Sequence, residues 1–178
     1  MALADAIAAL RGDSRLAECF TDWRTFAPEP ARYADWPSTL DPRIVDALAK
    51  RGIERPYTHQ AQAIAHALPR SPARRGNDQV IVTPTASGKT LCYTAPVLQS
   101  ILDDDSARAL YLFPTKALAA DQLDELHGIV TDAKLPVKTF TYDGDTSPKA
   151  RRLVRTSGHV VITNPDMLHT GILPNHTK

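Results

Sequence analysis

Short apolar runs alternate with longer helical patterns from Gln79 onward, and this alternation restricts the folds that the chain can adopt. The runs that favour β-strands cover residues 79–83, 109–113, 137–142 and 159–163. Helical patterns lie between them, over residues 88–102, 115–130 and 147–155. Because neighbouring parallel strands need a crossover of about a dozen residues or more, we predict an α/β fold with a parallel sheet and crossover helices.

The segment before residue 41 does not follow this pattern. It begins with an apolar stretch at helical spacing and continues through a proline-rich run. Asp41 and Pro42 then have the form of a helix N-cap and a first helical residue, and the helix predicted over 43–51 ends at Gly52. We therefore predict a helical N-terminal extension over residues 1–40, followed by a domain over residues 41–178.

Composition excludes several classes of protein. With 178 residues and 43% apolar content, the chain can bury one core, and its net charge of +1 means that any nucleic-acid surface must be local. The two cysteines, Cys19 and Cys92, are too few for a disulfide framework. No stretch approaches the roughly 18 apolar residues that a membrane span needs. We expect a cytoplasmic protein that has no membrane partner.

One loop carries the strongest chemical signal in the chain. It follows the apolar run Val80, Ile81 and Val82, opens a helical pattern, and reads Thr83-Pro84-Thr85-Ala86-Ser87-Gly88-Lys89-Thr90. A phosphate-binding loop needs backbone amides turned toward an anion, a lysine for the outer phosphates and a hydroxyl for magnesium. Gly88, Lys89 and Thr90 supply the end of that pattern, whereas Thr83 stands where its first glycine is expected.

A lysine at an ordinary helix start is the alternative interpretation of this loop. A cation in the first turn opposes the helix dipole, at a cost of roughly 0.3 to 1 kcal/mol, and a bound anion would reverse that effect. The position of Lys89 directly after a predicted strand and its turn favours the anion.

Polar loops also follow the other three predicted strands. Because the carboxyl ends of parallel strands share one edge of the sheet, ligands bind there. The residues in question are Pro114, Thr115 and Lys116 after the second strand, Gly144 and Asp145 after the third, and Thr163 and Asn164 after the fourth. Thr115 has the form of a helix cap, and Lys116 is suited to a phosphate. Taken singly, each loop is an ordinary junction between a strand and a helix.

The order of these motifs resembles the first RecA-like domain of superfamily-two DEAD/DEAH-box helicases. The motifs are Tyr57-x-x-Gln60, residues 84–90, Pro114-Thr115-Lys116-Ala117-Leu118, Gly144-Asp145 and residues 163–169. The amino-acid sequences of the loop, of residues 142–146 and of residues 163–174 resemble those of the mitomycin-repair type of bacterial helicase and its RecQ-like eukaryotic relatives. The resemblance covers roughly Tyr33 to Lys178 and implies a P-loop, RecA-like fold.

The resemblance implies ATP and Mg²⁺ as cofactors and assigns a role to each matched position. Gln60, together with Tyr57, would recognise the adenine base. The phosphates and magnesium would be held by Thr85, Ala86, Ser87, Gly88, Lys89 and Thr90, with Lys89 and Thr90 as the catalytic pair and Thr90 as the metal ligand. Single-stranded DNA, or DNA with a single-stranded tail, would contact Pro114, Thr115, Lys116, Gly144, Asp145, Thr163 and Asn164. Arg151, Arg152 and Arg155 form a further candidate for a strand-facing edge, with a solvated helix face as the alternative.

The DExH box that supplies the acidic residues for hydrolysis in this family has no match in the sequence. Asp166 follows a strand-like run, but Pro165 precedes it, and we interpret it as part of a helix start rather than as a magnesium ligand. We therefore expect the ATP-binding portion of a DNA helicase or translocase, incomplete and inactive by itself, from a parent that acts in DNA repair. A small-molecule P-loop kinase and a non-catalytic scaffold are the alternatives. The oligomeric state stays open.

Overall fold

The computed structural model describes residues 2–27, 30–68 and 78–175. The chain divides into two compact units, Met1–Ala31 and Arg32–Lys178. None of the described helices is both long and apolar enough to cross a bilayer. Cys19 is exposed and Cys92 is buried, and both are free thiols.

The first unit contains two helices, α1 (Leu3–Gly12) and α2 (Ser14–Ala17). Asp13 caps α2, since its carboxylate accepts a hydrogen bond from the amide of Arg15 at 2.9 Å. The ring of Trp23 packs edge-on against Phe20, with ring centroids 5.3 Å apart. The guanidinium of Arg11 lies 4.2 Å from the centroid of the same indole. No residue of α1 is buried, so the described part of this unit has aromatic contacts around Trp23 while α1 contributes no buried side chain.

The second unit contains the remaining helices and the sheet. Its helices are α3 (Pro42–Lys50), α4 (Thr58–Ala67), α5 (Lys89–Asp103), α6 (Lys116–Asp132), α7 (Pro148–Ser157) and the short α8 (Pro165–Met167). A π-helical turn over Leu168–Ile172 and a 3₁₀ turn over Leu173–Asn175 follow α8.

Helix starts in the second unit follow from local sequence. Asp41, Ser147 and Asn164 each precede a proline at the first helical position, and each side chain accepts a hydrogen bond from an amide of the first turn. Thr115 caps α6 in the same way, accepting from the amide of Leu118. A proline at this position loses no helical hydrogen bond, because the first amides of a helix have no partner inside it.

Three parallel strands form the sheet: β1 (Ala109–Leu112), β2 (Thr139–Thr141) and β3 (Val160–Thr163). Their order is β1-β3-β2, so the last strand lies between the other two. Tyr111 and Thr141 both lie beside Ile162 in the register. The predicted parallel α/β fold is confirmed, and α6 and α7 provide the crossover connections.

The predicted strand over residues 79–83 is wrong. Residues 78–84 form no strand, and the side chains of Val80 and Val82 are 91% and 87% exposed. An extended run becomes a strand only when a neighbour exchanges backbone hydrogen bonds with it, and no described strand lies beside this one. The apolar composition that suggested a strand does not by itself supply a partner.

The core of the second unit joins helices to the central strand. Its most deeply buried side chains include Ile44 and Leu48 of α3, Ile64 of α4, Leu98 of α5 and Ile162 of β3. Each has less than 2% of its surface exposed, and all belong to one hydrophobic cluster. This packing holds the starts of α5 and α6 at fixed positions, and the candidate site lies at those starts.

Candidate functional site

The loop before α5 is a closed turn with two left-handed residues. Gly88 has a φ of 73° and Ala86 has a φ of 60°. The hydroxyl oxygens of Thr83 and Ser87 lie 2.5 Å apart, which closes the loop across its base. Within the described part of the chain, the turn over residues 85–86 directs the Ser87 amide toward the Pro84 carbonyl, and the other backbone amides of residues 85–90 have no hydrogen-bond acceptor. Free amides at a helix start form an anion-binding arrangement.

The ammonium of Lys89 lies inside this loop. Its Nζ atom donates to the carbonyl oxygens of Thr83 and Pro84, at 2.9 and 2.8 Å. The Thr83 and Ser87 hydroxyls lie 3.3 and 3.5 Å from the same nitrogen. The positive charge is therefore placed beside the free amides of the loop, where it would neutralise a phosphate.

Gln60 joins α4 to the loop. Its side chain is 4% exposed, its Oε1 atom accepts from the amide of Tyr57 at 2.8 Å, and its Nε2 atom donates to the carbonyl of Gly88 at 2.9 Å. Both ends of the carboxamide are thus engaged within the protein. A Cβ atom added to Gly88 would lie 2.5 Å from Gln60 Nε2, so the close approach needs a glycine.

Three stacked rings lie beside Gln60. Tyr57 stacks on Tyr33 with centroids 5.2 Å apart and on His59 with centroids 5.8 Å apart. His59 Nε2 lies 3.1 Å from the carbonyl oxygen of Ser87 and is therefore the donor in that contact. Tyr33 and Tyr57 are 50% and 37% exposed, so the stack presents aromatic surface for a planar group next to the loop.

The hydroxyl of Thr90 points toward α6. Its Oγ1 atom donates to Gln122 Oε1 at 3.3 Å, and the hydroxyl of Tyr93 donates to the same oxygen at 3.0 Å. Burial raises the pKa of Tyr93, so that this phenol remains a donor. The described residues contain no group of three or more histidine, cysteine or acidic side chains that could form a metal cage. One hydroxyl with phosphate and water oxygens fits magnesium, which keeps several of its waters when bound.

The junctions after β1 and β2 meet through an ion pair. Lys116 Nζ donates to Asp145 Oδ2 at 2.6 Å, and both side chains are exposed. The hydrogen bond from Lys116 holds the pKa of Asp145 below its ordinary value, and the carboxylate of Asp145 raises the pKa of Lys116. The carboxylate of Asp143 organises the turn by accepting from the Asp145 amide and the Thr146 hydroxyl.

The junction after β3 is more enclosed. Thr163 is 3% exposed, and its hydroxyl donates to the carbonyl of Tyr142. Asn164 Oδ1 accepts from the amide of Met167 at 2.8 Å and so caps α8. Asp166 lies in the first turn of that helix. Thr163 and Asn164 therefore use these polar atoms to shape the junction.

Four of the seven predicted nucleic-acid residues line one cleft of about 310 Å³. Thr115 and Lys116 line it from α6, Asp143 lines it from the turn after β2, and Thr163 and Asn164 line it from the end of β3. Pro114, Gly144 and Asp145 are exposed beside these residues in sequence and do not line the cleft.

The family model for the DEAD/DEAH box helicases matches residues 57–178. The chain belongs to the DEAD/DEAH box helicase family. It is 51% identical over 176 residues to the uncharacterised ATP-dependent helicase YprA of Bacillus subtilis, covering 99% of this chain and 22% of that protein. It is 38% identical over 157 residues to the ATP-dependent helicase hrq1 of Schizosaccharomyces pombe, covering 86% of this chain and 14% of that protein.

Solved helicase structures share the fold. The crystal structure of the DUF1998 helicase MrfA bound to DNA and AMPPNP has a TM-score of 0.84 at 50% identity, covering 99% of this chain and 24% of that one. The yeast DEAD-box splicing factor Prp28 has a TM-score of 0.66 at 20% identity, covering 85% of this chain and 36% of that one, and shows the fold alone. The RecA-like fold and the resemblance to the mitomycin-repair group are confirmed.

Within this helicase-family framework, the structure brings together most residues of the predicted nucleotide site. Gln60, Ser87, Gly88 and Lys89 are linked by direct contacts, and Thr90 follows at the helix start, whereas Thr85 and Ala86 form the exposed outer turn. Of the three predicted arginines on α7, Arg151 makes contacts within the protein. Its guanidinium donates to the carbonyls of Thr146 and Asp143 and lies 5.3 Å from the Tyr142 ring centroid. Arg152 and Arg155 are exposed on α7.

Three residues of the site were not predicted from the sequence. His59 and Tyr33 complete the ring stack, and Gln122 accepts a hydrogen bond from the Thr90 hydroxyl. The position of His59 between Tyr57 and Gln60 was a local signal that could have been used. Gln122 lies 32 residues from Thr90 in sequence, and no spacing rule connects the two.

Proposed function

We propose that this chain is the ATP-binding portion of an ATP-dependent DNA helicase or translocase. In this proposal the parent protein couples ATP hydrolysis to movement on single-stranded DNA, or on DNA with a single-stranded tail, during DNA repair. The chain spans only 22% of YprA and 14% of hrq1, so the activity belongs to a longer protein of that kind. The division into an extension over residues 1–40 and a nucleotide-binding domain over residues 41–178 is part of the same proposal.

The observation that carries the proposal is the loop of residues 85–90. Apart from that of Ser87, its backbone amides have no acceptor among the described residues, and the ammonium of Lys89 lies beside them. A nucleotide tail supplies the anionic oxygens that such a group of donors needs. Thr90 would hold magnesium, whose charge would stabilise the phosphates during transfer. Tyr57 would contact the base, and Gln60 would do so through the second amide hydrogen and the second oxygen lone pair that its contacts with Gly88 and Tyr57 leave available.

The cleft at the ends of the strands is assigned to the nucleic-acid backbone. The helix start at Thr115 and the ammonium of Lys116 are suited to phosphate oxygens, which position a strand without reading its sequence. MrfA is a helicase with a crystal structure in the DNA-bound state, and its similarity over this chain supports DNA as the ligand.

Paired lysine substitutions test the proposal. In Lys89→Ala, affinity for ATP and ADP should fall by at least tenfold, because a charged hydrogen bond contributes on the order of 1.5–3 kcal/mol. Lys116→Ala should keep nucleotide affinity and bind single-stranded oligonucleotide more weakly. Lys50→Ala, at the exposed end of α3, is the control that removes a lysine from neither site. Titration calorimetry and fluorescence anisotropy measure the two affinities.

Two results would count against the proposal. Unchanged nucleotide affinity in Lys89→Ala would remove the role of the loop. If the chain binds neither nucleotide nor DNA but forms a defined complex with another protein, the scaffold alternative is favoured instead.

A further inference from the structure

Gln122 makes two hydrogen bonds from α6 to α5 and a third within α6. Its Oε1 atom accepts from the hydroxyls of Thr90 and Tyr93, at 3.3 and 3.0 Å. Its Nε2 atom donates to Glu125 Oε2 at 3.3 Å. A carboxylate only accepts hydrogen bonds, so the amino end of the carboxamide must face Glu125 and the carbonyl end must face Thr90. The orientation of Gln122 is therefore fixed by its partners.

This orientation matters for the chemistry of the Thr90 hydroxyl. A hydroxyl that ligates a cation presents a lone pair to the metal, so its proton has to point to an acceptor elsewhere. Gln122 Oε1 is that acceptor in this structure. Because the Gln122 carbonyl is uncharged, it accepts this hydrogen bond without placing a negative charge beside the cation.

The same helix reaches the cleft. Thr115 and Lys116 lie at the start of α6, and Gln122 lies about two turns further along, since a helix has about 3.6 residues per turn. Ala119 and Leu123 of α6 line the cleft, whereas Gln122 does not and contacts α5 instead. One rigid element thus touches both the Thr90 hydroxyl and the cleft.

We propose that Gln122 is a positioning residue, which orients the Thr90 hydroxyl for a magnesium–nucleotide complex and joins that hydroxyl to the helix that presents Lys116. The inference rests on the proposed nucleotide function of the loop and deepens it. It assigns to α6 a role at both sites.

The magnesium dependence of ADP binding tests this inference. In Gln122→Met the side-chain volume is nearly kept and the acceptor is lost, so the gain in ADP affinity on adding Mg²⁺ should shrink about five- to tenfold, as expected for one hydrogen bond. Affinity for ADP in EDTA should not change. The double variant Gln122→Glu with Glu125→Gln restores an acceptor toward Thr90 and keeps the net charge, and should recover at least the magnesium effect of the unmodified chain, because its carboxylate also attracts the cation.

Controls separate positioning from folding. Asp121→Asn alters an exposed neighbour on α6 and should behave as the unmodified chain. Thermal melting checks each variant. If Gln122→Met does not fold, Gln122→Asn replaces it, because its shorter carboxamide does not reach Thr90.

The outcomes distinguish the two proposals. If the unmodified chain binds ADP neither with Mg²⁺ nor in EDTA, the proposed function fails and this inference fails with it. If it binds ADP with a magnesium effect that Gln122→Met retains, only the role of Gln122 is overturned. An equal loss of affinity with Mg²⁺ and in EDTA also overturns it, because the residue would then support the loop as a whole.

Discussion

The phosphate loop and the cleft at the ends of the strands are built in different ways. Gln60, which braces the loop, is 4% exposed and bonded at both ends of its carboxamide. The cleft has at its rim the pair Lys116–Asp145, whose side chains are 59% and 84% exposed. Buried contacts keep their geometry, whereas exposed pairs are weak and screened by salt. We therefore expect the contacts of Gln60 at the proposed nucleotide site to be rigid, and the ion pair beside the proposed nucleic-acid cleft to respond to ionic conditions.

The largest contrast is expected between two glycines. Gly88→Ala would force a left-handed residue and a Cβ contact of 2.5 Å with Gln60 Nε2, so the free energy of unfolding should fall by about 2–3 kcal/mol. Gly144→Ala meets no atom within 4 Å in the turn beside the cleft, and its effect should stay within about 0.5 kcal/mol. Urea denaturation measures both. Equal effects would show that the loop is no more constrained than the turn.

A smaller difference is expected between two capping side chains. Gln60→Ala leaves the Tyr57 amide without its acceptor and removes one of the two donors to the Gly88 carbonyl, which keeps the Leu91 amide, and should cost about 1–3 kcal/mol. Thr115→Ala removes an exposed cap from α6 and should cost about 1 kcal/mol. Nucleotide affinity should fall only in the first variant. If Thr115→Ala destabilised the chain more, the assignment of the rigid side would be reversed.

The smallest effect concerns the ion pair at the rim of the cleft. In Asp145→Asn the ammonium of Lys116 is released, so affinity for a single-stranded oligonucleotide should rise about two- to threefold at low salt and less at high salt. Nucleotide affinity and stability should stay constant. Anisotropy titrations over a salt series measure the change, and a fall in affinity would mean that Asp145 itself supports the strand.

Lowering the pH should raise the affinity for the oligonucleotide in the same way as Asp145→Asn, because protonation of Asp145 also releases the ammonium of Lys116. Because each partner stabilises the charge of the other, the pair is kept between the lowered pKa of Asp145 and the raised pKa of Lys116. On acidification the pair is lost as the pH falls through the lowered pKa of Asp145. In Asp145→Asn the oligonucleotide affinity should therefore lack this contribution to the pH dependence.

Much of the fold could be predicted because its signals are local. Caps such as Asp41, Thr115 and Ser147 act on amides two or three residues away, and they start helices where the sequence places them. The strand over residues 79–83 could not be judged in this way, since pairing depends on another part of the chain. Composition showed that the segment is apolar and gave no information about its neighbour.

The residues of the candidate site also differ in whether a local sequence signal indicates them. Lys89, Thr90 and Lys116 could be proposed from the sequence because their motifs are contiguous. Gln122 was missed because its contact with Thr90 depends on how α5 packs against α6. Arg151 was grouped with its exposed neighbours because the sequence does not show that its guanidinium turns back onto Thr146 and Tyr142.

The position of Lys89 changes how nucleotide affinity should be interpreted. Its ammonium already donates to the carbonyls of Thr83 and Pro84, so in the proposed function a triphosphate would compete with the chain's own oxygens for the same cation. Binding would thus replace hydrogen bonds that Lys89 already makes, rather than give an unpaired ammonium its first partner. The measured affinity is the difference between two sets of contacts, and the heat of binding should be modest for a site of this charge.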